Sequence, residues 1–236
     1  MIDYELTRSA KRKTIALSVR QGRVIVKAPW YATANFIEGF ITSKLAWIEH
    51  KLALQKEHQS KRLYLFEPDS NVLYFGDIYR LVINTEIQSS SQFNQSTSTL
   101  ILTTNSRVKQ SHADEYDGLK AKIKQQINNI YKEKANDYLV SRFDEIVQNT
   151  DFTPSSLKIR KYTARWGSCD NKGRISLNSW LMACPKWVID YVIIHELCHL
   201  VHFDHSPKFW QLVEKYCPDF KLAKQWLHSY NYILKN

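Results

Sequence analysis

Tyr191-Val192-Ile193-Ile194-His195-Glu196-Leu197-Cys198-His199-Leu200-Val201-His202-Phe203-Asp204-His205 is the stretch that decides how this chain is read. Residues four apart on an α-helix stand one turn above each other, so His195 and His199 can present imidazole nitrogens to one tetrahedral metal at about 2.0 to 2.1 Å. Glu196 is offset sideways, towards the open position of such a metal. A carboxylate there can take the proton of a metal-bound water and later pass it to a leaving group. The H-E-x-x-H pattern thus predicts a helix that carries a hydrolytic metal site, opened by Pro185 in its first turn.

The residues downstream sharpen the pattern. His205 follows His199 by six, a spacing that lets the chain leave the helix, turn, and bring back a third imidazole. Ser206-Pro207 then reads as cap and first-turn proline of a new helix, with Phe209, Leu212, Val213 and Tyr216 on its apolar face. His202 competes for the third place, because it shares a face with His195 and His199 if the helix continues. It would stack in line along the helix and close a tetrahedron poorly, so His205 is preferred, while His202 stays open as a ligand, as a donor to one, or as a partly buried aromatic. Glu214, fifteen after His199, is a weaker candidate, better explained as a solvated helix carboxylate.

Upstream, apolar and polar residues alternate at Ile15, Leu17 and Val19, and Gln21-Gly22 turns the chain towards Val24 to Val26, which predicts a hairpin. Thr33 then caps a helix running to about Glu57, on the three-and-four spacing of Phe36, Ile37, Phe40, Ile41, Leu45, Ile48 and Leu52. Val72 to Phe75 and Ile78 to Ile83 form a second strand pair around Gly76-Asp77. Glu86 to Thr99, rich in Ser, Gln, Asn and Thr, reads as a long loop before a strand at Leu100 to Thr103. His112 to Gln148 keeps helical spacing as one long helix or two. Short strands fit Leu157 to Arg160 and Arg174 to Leu177. A change of composition and periodicity sets a boundary near residue 110.

The 236 residues, 44% hydrophobic and 24% charged with 13% aromatics, exclude a disordered or collagen-like chain and fit one domain or two small ones. No stretch reaches the roughly 18 apolar residues of a membrane helix. Met1 to Lys13 is charged and lacks the apolar core of a signal peptide, so the expectation is a cytoplasmic protein with no membrane attachment. Cys169, Cys184, Cys198 and Cys217 form no C-x-x-C pair and read as free, mostly buried thiols. Cys198 points to another side of the helix from both histidines. The net charge of +10 favours polyanions at long range. Lys11 to Lys13, Lys120 to Lys124, Lys158, Arg160 and Lys161 are candidates for a basic face interleaved with Tyr162 and Trp166.

The sequence resembles the YgjP-like zinc metallopeptidases, relatives of the SprT-like and other zincin families. The resemblance is carried by Arg165-Trp166-Gly167-Ser168-Cys169, Gly173-Arg174-Ile175-Ser176-Leu177-Asn178, the H-E-L-x-H-L helix, and His205-Ser206-Pro207 with Phe209-Trp210. The amino-terminal hairpin and Tyr74-Phe75-Gly76 extend it over nearly the whole chain. It implies an α+β fold: a β-rich amino-terminal portion with one long helix, residues 1–110, then a zincin-like catalytic portion, residues 111–236, with an active-site helix and carboxy-terminal helices. It also implies one Zn²⁺ held by His195, His199 and His205, with Glu196 as the base. The similarity stops short of the metzincins, which place Gly where this chain has His202 and a methionine after the third histidine; Met1 and Met182 are the only methionines here.

By the same resemblance, the strand Arg174 to Asn178 is the candidate edge for an extended peptide. Arg165, Trp166, Asn178 and His202 are then candidate substrate or transition-state contacts, with Arg165 able to hold a carboxylate, a phosphate or transition-state charge. The plainer reading of Arg165 and Trp166 is a packed surface stack. The expected reaction is zinc-dependent hydrolysis of peptide bonds. Metal-dependent hydrolysis of a nucleotide phosphate and a nucleic-acid-associated protease or binding protein are the alternatives that the basic charge keeps open.

Overall fold

Val24, Val26 and Ala28 stand two apart and are all buried, while Arg23, Ile25 and Lys27 between them are not, so Arg23–Pro29 is a strand with one face in the core, and it is the central strand of the amino-terminal sheet. In the structure, a computed structural model describing residues 2–20, 22–60, 63–85, 90–104 and 113–235, the chain divides into two compact units, Met1–Arg62 and Leu63–Asn236. In the first unit β1 (Tyr4–Ser9), β2 (Ala16–Arg20) and β3 (Arg23–Pro29) form a sheet in the order β1-β3-β2. The expected hairpin is β2 and β3, with Gly22 at φ 76° in the turn and Gln21 outside the described residues. Parallel to β3 on its other side runs β1, whose mostly exposed residues carry no alternation to announce a strand.

The helix expected from Thr33 to Glu57 is two helices, α1 (Ala34–Ser43) and α2 (Leu45–Ser60). Thr33 caps the first, its Oγ1 accepting from the Phe36 N–H at 3.3 Å. The break at Lys44 follows Ser43, whose hydroxyl donates to the Phe40 carbonyl at 2.7 Å and competes with the helical ladder. Ile37, Ile41 and Ile48 from the two helices join Val24, Val26, Ala28 and Ala32 in one small core.

The second unit opens with β4 (Asn71–Tyr74), β5 (Asp77–Thr85), β6 (Ser90–Asn94) and β7 (Thr99–Thr104), in the sheet order β4-β5-β7-β6. The segment expected as a loop from Glu86 to Thr99 thus contains β6 and the first residue of β7; residues 86–89 lie outside the described part. Polar composition hides β6 because its anchor is a single ring: Phe93 stacks on Tyr74 at 4.0 Å between centroids, while the antiparallel ladder with β7 satisfies the backbone. One helix of 36 residues follows, α3 (Ala113–Gln148). Its Leu119, Ile123, Ile127, Ile130, Leu139 and Phe143 share one core with Leu100 and Leu102 of β7. The composition change near residue 110 therefore marks the step from β7 to α3 within one core, and the division of the chain falls after Arg62.

Beyond α3, β8 (Ser156–Arg160), β9 (Gly167–Cys169) and β10 (Arg174–Asn178) form a sheet in the order β8-β10-β9. The candidate edge strand Arg174 to Asn178 is therefore central, parallel to β8 and antiparallel to β9, and the edges belong to β8 and β9. A 3-10 turn at Ser179–Ala183 leads into α4 (Lys186–Cys198), then α5 (Pro207–Tyr216) and α6 (Phe220–Tyr230). The protein is thus a mixed α+β fold, with β-rich sheets first and helices after them. Among the described residues no helix is long and apolar enough to cross a membrane. All four thiols are free, with Cys184 and Cys198 buried.

The start of α4 is clamped by the front sheet. Phe75 and Gly76 donate their N–H groups to the carbonyls of Met182 at 2.8 Å and Ala183 at 3.2 Å. Gly76 sits at φ 87°, and a Cβ there would lie 2.6 Å from Pro185 Cγ, so only glycine permits the turn between β4 and β5 to close on the proline that opens α4.

Candidate metal centre

Nine residues of α4 are buried, among them Val188, Ile189, Val192, Ile193 and Leu197, so the helix is held on almost every side by the core. Besides the exposed Lys186 and Trp187 of its first turn and the partly exposed Asp190, the surface it leaves open is that of His195 and His199, both partly exposed. Helical pitch sets these two rings 4.9 Å apart. The helix ends at His199, where the N–H groups of Leu200, Val201 and His202 bond back to Leu197 and Cys198 carbonyls. The released chain swings round to the entrance of α5 and presents His205, exposed at the rim.

One nitrogen from each of His195, His199 and His205 lies within 4.8 Å of the others. The Nε2 atoms of His195 and His205 are 3.2 Å apart. Two nitrogens bound at about 2.05 Å to a tetrahedral zinc stand about 3.3 Å apart, so this spacing fits a shared ion. The other nitrogens of His199 and His195 are tied from outside. His199 Nδ1 lies 3.0 Å from the His202 carbonyl and donates to it, which leaves Nε2 as the free lone pair. His195 Nδ1 lies 3.3 Å from the Tyr191 hydroxyl. Burial, then the neighbouring His199, His205 and Lys224, pushes the His195 imidazolium down to about 3, and burial lowers His199 as well. Both rings are neutral near pH 7, the state that binds metal.

Phe209 forms the floor, its ring centre 5.0, 4.6 and 4.9 Å from those of His195, His199 and His205. Trp210 stacks on His205 at 5.6 Å and carries Lys224 Nζ 3.9 Å from its own ring centre. Both aromatics follow from Ser206-Pro207 starting α5 in register, with Phe209 turned inward and fully buried.

Glu196 is only 6% exposed, and burial pushes its carboxyl up to about 8 while the Arg165 charge pulls it back. Its place is set by β9. A Cβ at Gly167 would sit 2.7 Å from Glu196 Cγ and 2.7 Å from Oε1, so the carboxylate lies directly against a bare backbone. Cys169, on the same face of β9, has its thiol raised to about 11 by burial and then by Glu196. Residues 166, 168 and 170 face β10 with their backbone groups, as the bonds from Asn178 N–H to the Trp166 carbonyl and from Asp170 N–H to the Arg174 carbonyl show. The N–H and C=O groups of Gly167 and Cys169 therefore point to the open edge.

The remaining sequence candidates divide. Arg165 is exposed beside Glu196, its guanidinium 5.8 Å from the Tyr162 ring centre. Trp166 is half-buried against the core, with a buried indole N–H. Asn178 has no exposed surface; its amide donates to the Tyr162 and Arg165 carbonyls at 2.9 and 2.8 Å and accepts from the Trp180 N–H at 3.1 Å. It shapes the loop that carries Arg165. His202 stands outside the histidine cluster and reaches it through its carbonyl. Glu214 faces Lys221 at 3.8 Å on the surface. Sequence reasoning missed Tyr191 and the role of Gly167. Tyr191 was findable, since it stands one turn before His195 by the same four-residue spacing.

Comparison with known families gives one match: the family described as YgjP-like, metallopeptidase domain, over residues 13–230. No curated protein and no solved structure matches the chain.

Proposed function

Because the chain belongs to the YgjP-like metallopeptidase family, we propose that it is a zinc-dependent hydrolase that cleaves peptide bonds, with His195, His199 and His205 as ligands and Glu196 as general base. The observation that carries this reading is the cluster of three imidazoles with a buried carboxylate on the residue following the first. A zinc held there supplies Lewis-acid polarisation of the scissile carbonyl and lowers the pKa of water towards 7. Glu196 takes the proton of the attacking water and delivers it to the leaving amine. In the metal-free chain burial raises its carboxyl above the ordinary range, which suits a group that must both take up a proton and give it back. Arg165, exposed beside Glu196, offers its guanidinium to the developing oxyanion or to a substrate carboxylate.

The substrate in this reading lies extended along β9, exchanging hydrogen bonds with the outward backbone groups of Gly167 and Cys169. Elemental mass spectrometry of tag-free protein tests the ligand set: about one zinc per chain, lost in His205→Ala and kept in His202→Ala and Glu196→Gln. Peptide cleavage present in wild type and absent in Glu196→Gln completes the test. Turnover of nucleotides with no peptide cleavage would move the substrate class to phosphate esters and anhydrides.

A further inference from the structure

The four most exposed aromatic rings among the described residues are Trp30, Phe36, Phe203 and Tyr31, at 65%, 65%, 61% and 60%, and three of them stand within seven positions of one another. Trp30 and Tyr31 meet edge to face, 6.1 Å between ring centres, where β3 gives way to α1. The sheet brings a cationic segment to the same place. Strand β1 runs parallel to β3 with Ser9 opposite Pro29, and β2 starts with Ala16 opposite Lys27, so residues 10–15 and residues 30–33 connect the strands at one end of the sheet. Direct bonds join the two connections. The Arg8 guanidinium donates to the carbonyls of Trp30 at 3.0 Å and Ala32 at 2.5 Å, and the Tyr31 hydroxyl donates to the Lys13 carbonyl at 3.5 Å. Residues 6–16 and 26–37 hold five cations, Arg8, Lys11, Arg12, Lys13 and Lys27, and no Asp or Glu. The acids that flank them are Glu38, in α1, and Glu5, which pairs with Arg23 at 3.1 Å towards the other end of the sheet. Met1–Arg62 as a whole carries 12 of the 33 Lys and Arg but 5 of the 23 Asp and Glu, a net +7 of the chain's +10.

We propose that this end of the amino-terminal sheet binds single-stranded nucleic acid, with bases stacked on Trp30 and Tyr31 and phosphates held by Lys11, Arg12, Lys13 and Lys27. The charge selects a polyanion, and the exposed rings select one that offers flat, unpaired bases. A duplex hides those faces, and an acidic peptide leaves the rings unused. An anionic membrane fits less well, because an inserting aromatic presents its end to the lipid. Here the Tyr31 hydroxyl points back to Lys13 and Arg8 pins the backbone on either side of Tyr31, so its ring lies along the surface and does not project from it.

Fluorescence anisotropy of tag-free full-length protein tests this with labelled single-stranded DNA and RNA of about a dozen nucleotides. Binding of either strand, or of both, supports the proposal and names the source of the ligand. The affinity is expected to fall with salt at a log–log slope of about −2 to −3, the value for three or four phosphates of a single strand. Trp30→Ala weakens binding about tenfold at an unchanged slope, and Trp30→Phe restores most of it, which a folding defect would not allow. Lys11→Gln with Lys13→Gln makes the slope shallower by about 1.4. Duplex bound as tightly as single strand, binding unchanged in Trp30→Ala, or a slope that the lysine variant leaves alone overturns the proposal. So does displacement of the strand by a Glu-rich peptide, or by vesicles of phosphatidylserine and phosphatidylcholine, at equal anion concentration. The histidine cluster belongs to the second unit, so chelator and Glu196→Gln are expected to leave strand binding intact, and its loss with either overturns the assignment to this surface. Peptide cleavage is scored apart: its absence overturns the peptidase and leaves the strand site standing, and absence of strand binding does the reverse.

Discussion

A methyl group at residue 167 has nowhere to go, because Glu196 Cγ and Oε1 already occupy the space 2.7 Å away. Gly167→Ala must push the carboxylate aside, and a displacement of about 1 Å of a proton-transfer group costs about a hundredfold in rate. The expected outcome is kcat down by about that factor with zinc content unchanged, since the three atoms nearest a Cβ at residue 167 all belong to Glu196; loss of zinc together with activity would show a disturbance reaching beyond Glu196. The same burial has a thermodynamic consequence in chelated, metal-free protein. The folded chain keeps the Glu196 proton up to about pH 8, whereas the unfolded chain releases it near 4.5, so ionising this group lowers stability as pH rises through that window. Glu196→Gln is expected to lie close to wild type in melting temperature near pH 5 and to exceed it by about 10 °C near pH 8 in thermal unfolding without metal. His195, Glu196 and His199 were legible because helical geometry alone brings them together. Gly167 was not, because its demand arises from a contact across 29 positions of sequence that no local pattern encodes.

Elements put these residues in place, and Asn178 shows how. From the end of β10 it supplies hydrogen bonds to two carbonyls of the loop before β9 and to the first turn leading to α4. Replacing it with Ala leaves two carbonyls and one N–H without these partners, at a cost of about 3 kcal/mol. Urea unfolding of Asn178→Ala is expected to show that loss. Its KM for peptide is expected to rise with little change in zinc content, because the loosened loop carries Arg165 while the proposed ligands stand at the end of α4 and just before α5. An unchanged KM would place Arg165 outside substrate binding. Long amphipathic elements such as α3 were readable from periodicity, and so was the cap of α1. β9 and β6 were not: a three-residue strand offers no alternation, and β6 is polar apart from the Phe93 that anchors it. The central place of β10 likewise depends on strand order, which sequence pattern does not set.

At the scale of the whole chain, two separate cores imply two separate unfolding events. Residues of β1 to β3 with α1 and α2 bury seven apolar side chains among themselves, while a much larger cluster joins everything from Leu63 onward. The composition change near residue 110 follows the passage from strands to helix, which look different in sequence while packing into one core. Scanning calorimetry is expected to resolve a weaker transition for the first unit, whose size leaves it marginally stable, and a stronger one for the second. Zinc discriminates between them. Ligand binding stabilises only the unit that holds the site, by RT ln(1 + [L]/Kd), so saturating zinc at a hundredfold excess over Kd adds about 2.7 kcal/mol to the second transition and nothing to the first. Chelator reverses the gain, and His205→Ala abolishes it. A single transition that moves as a whole with zinc would mean that the two units unfold together, and that the amino-terminal unit is energetically part of the metal site's support.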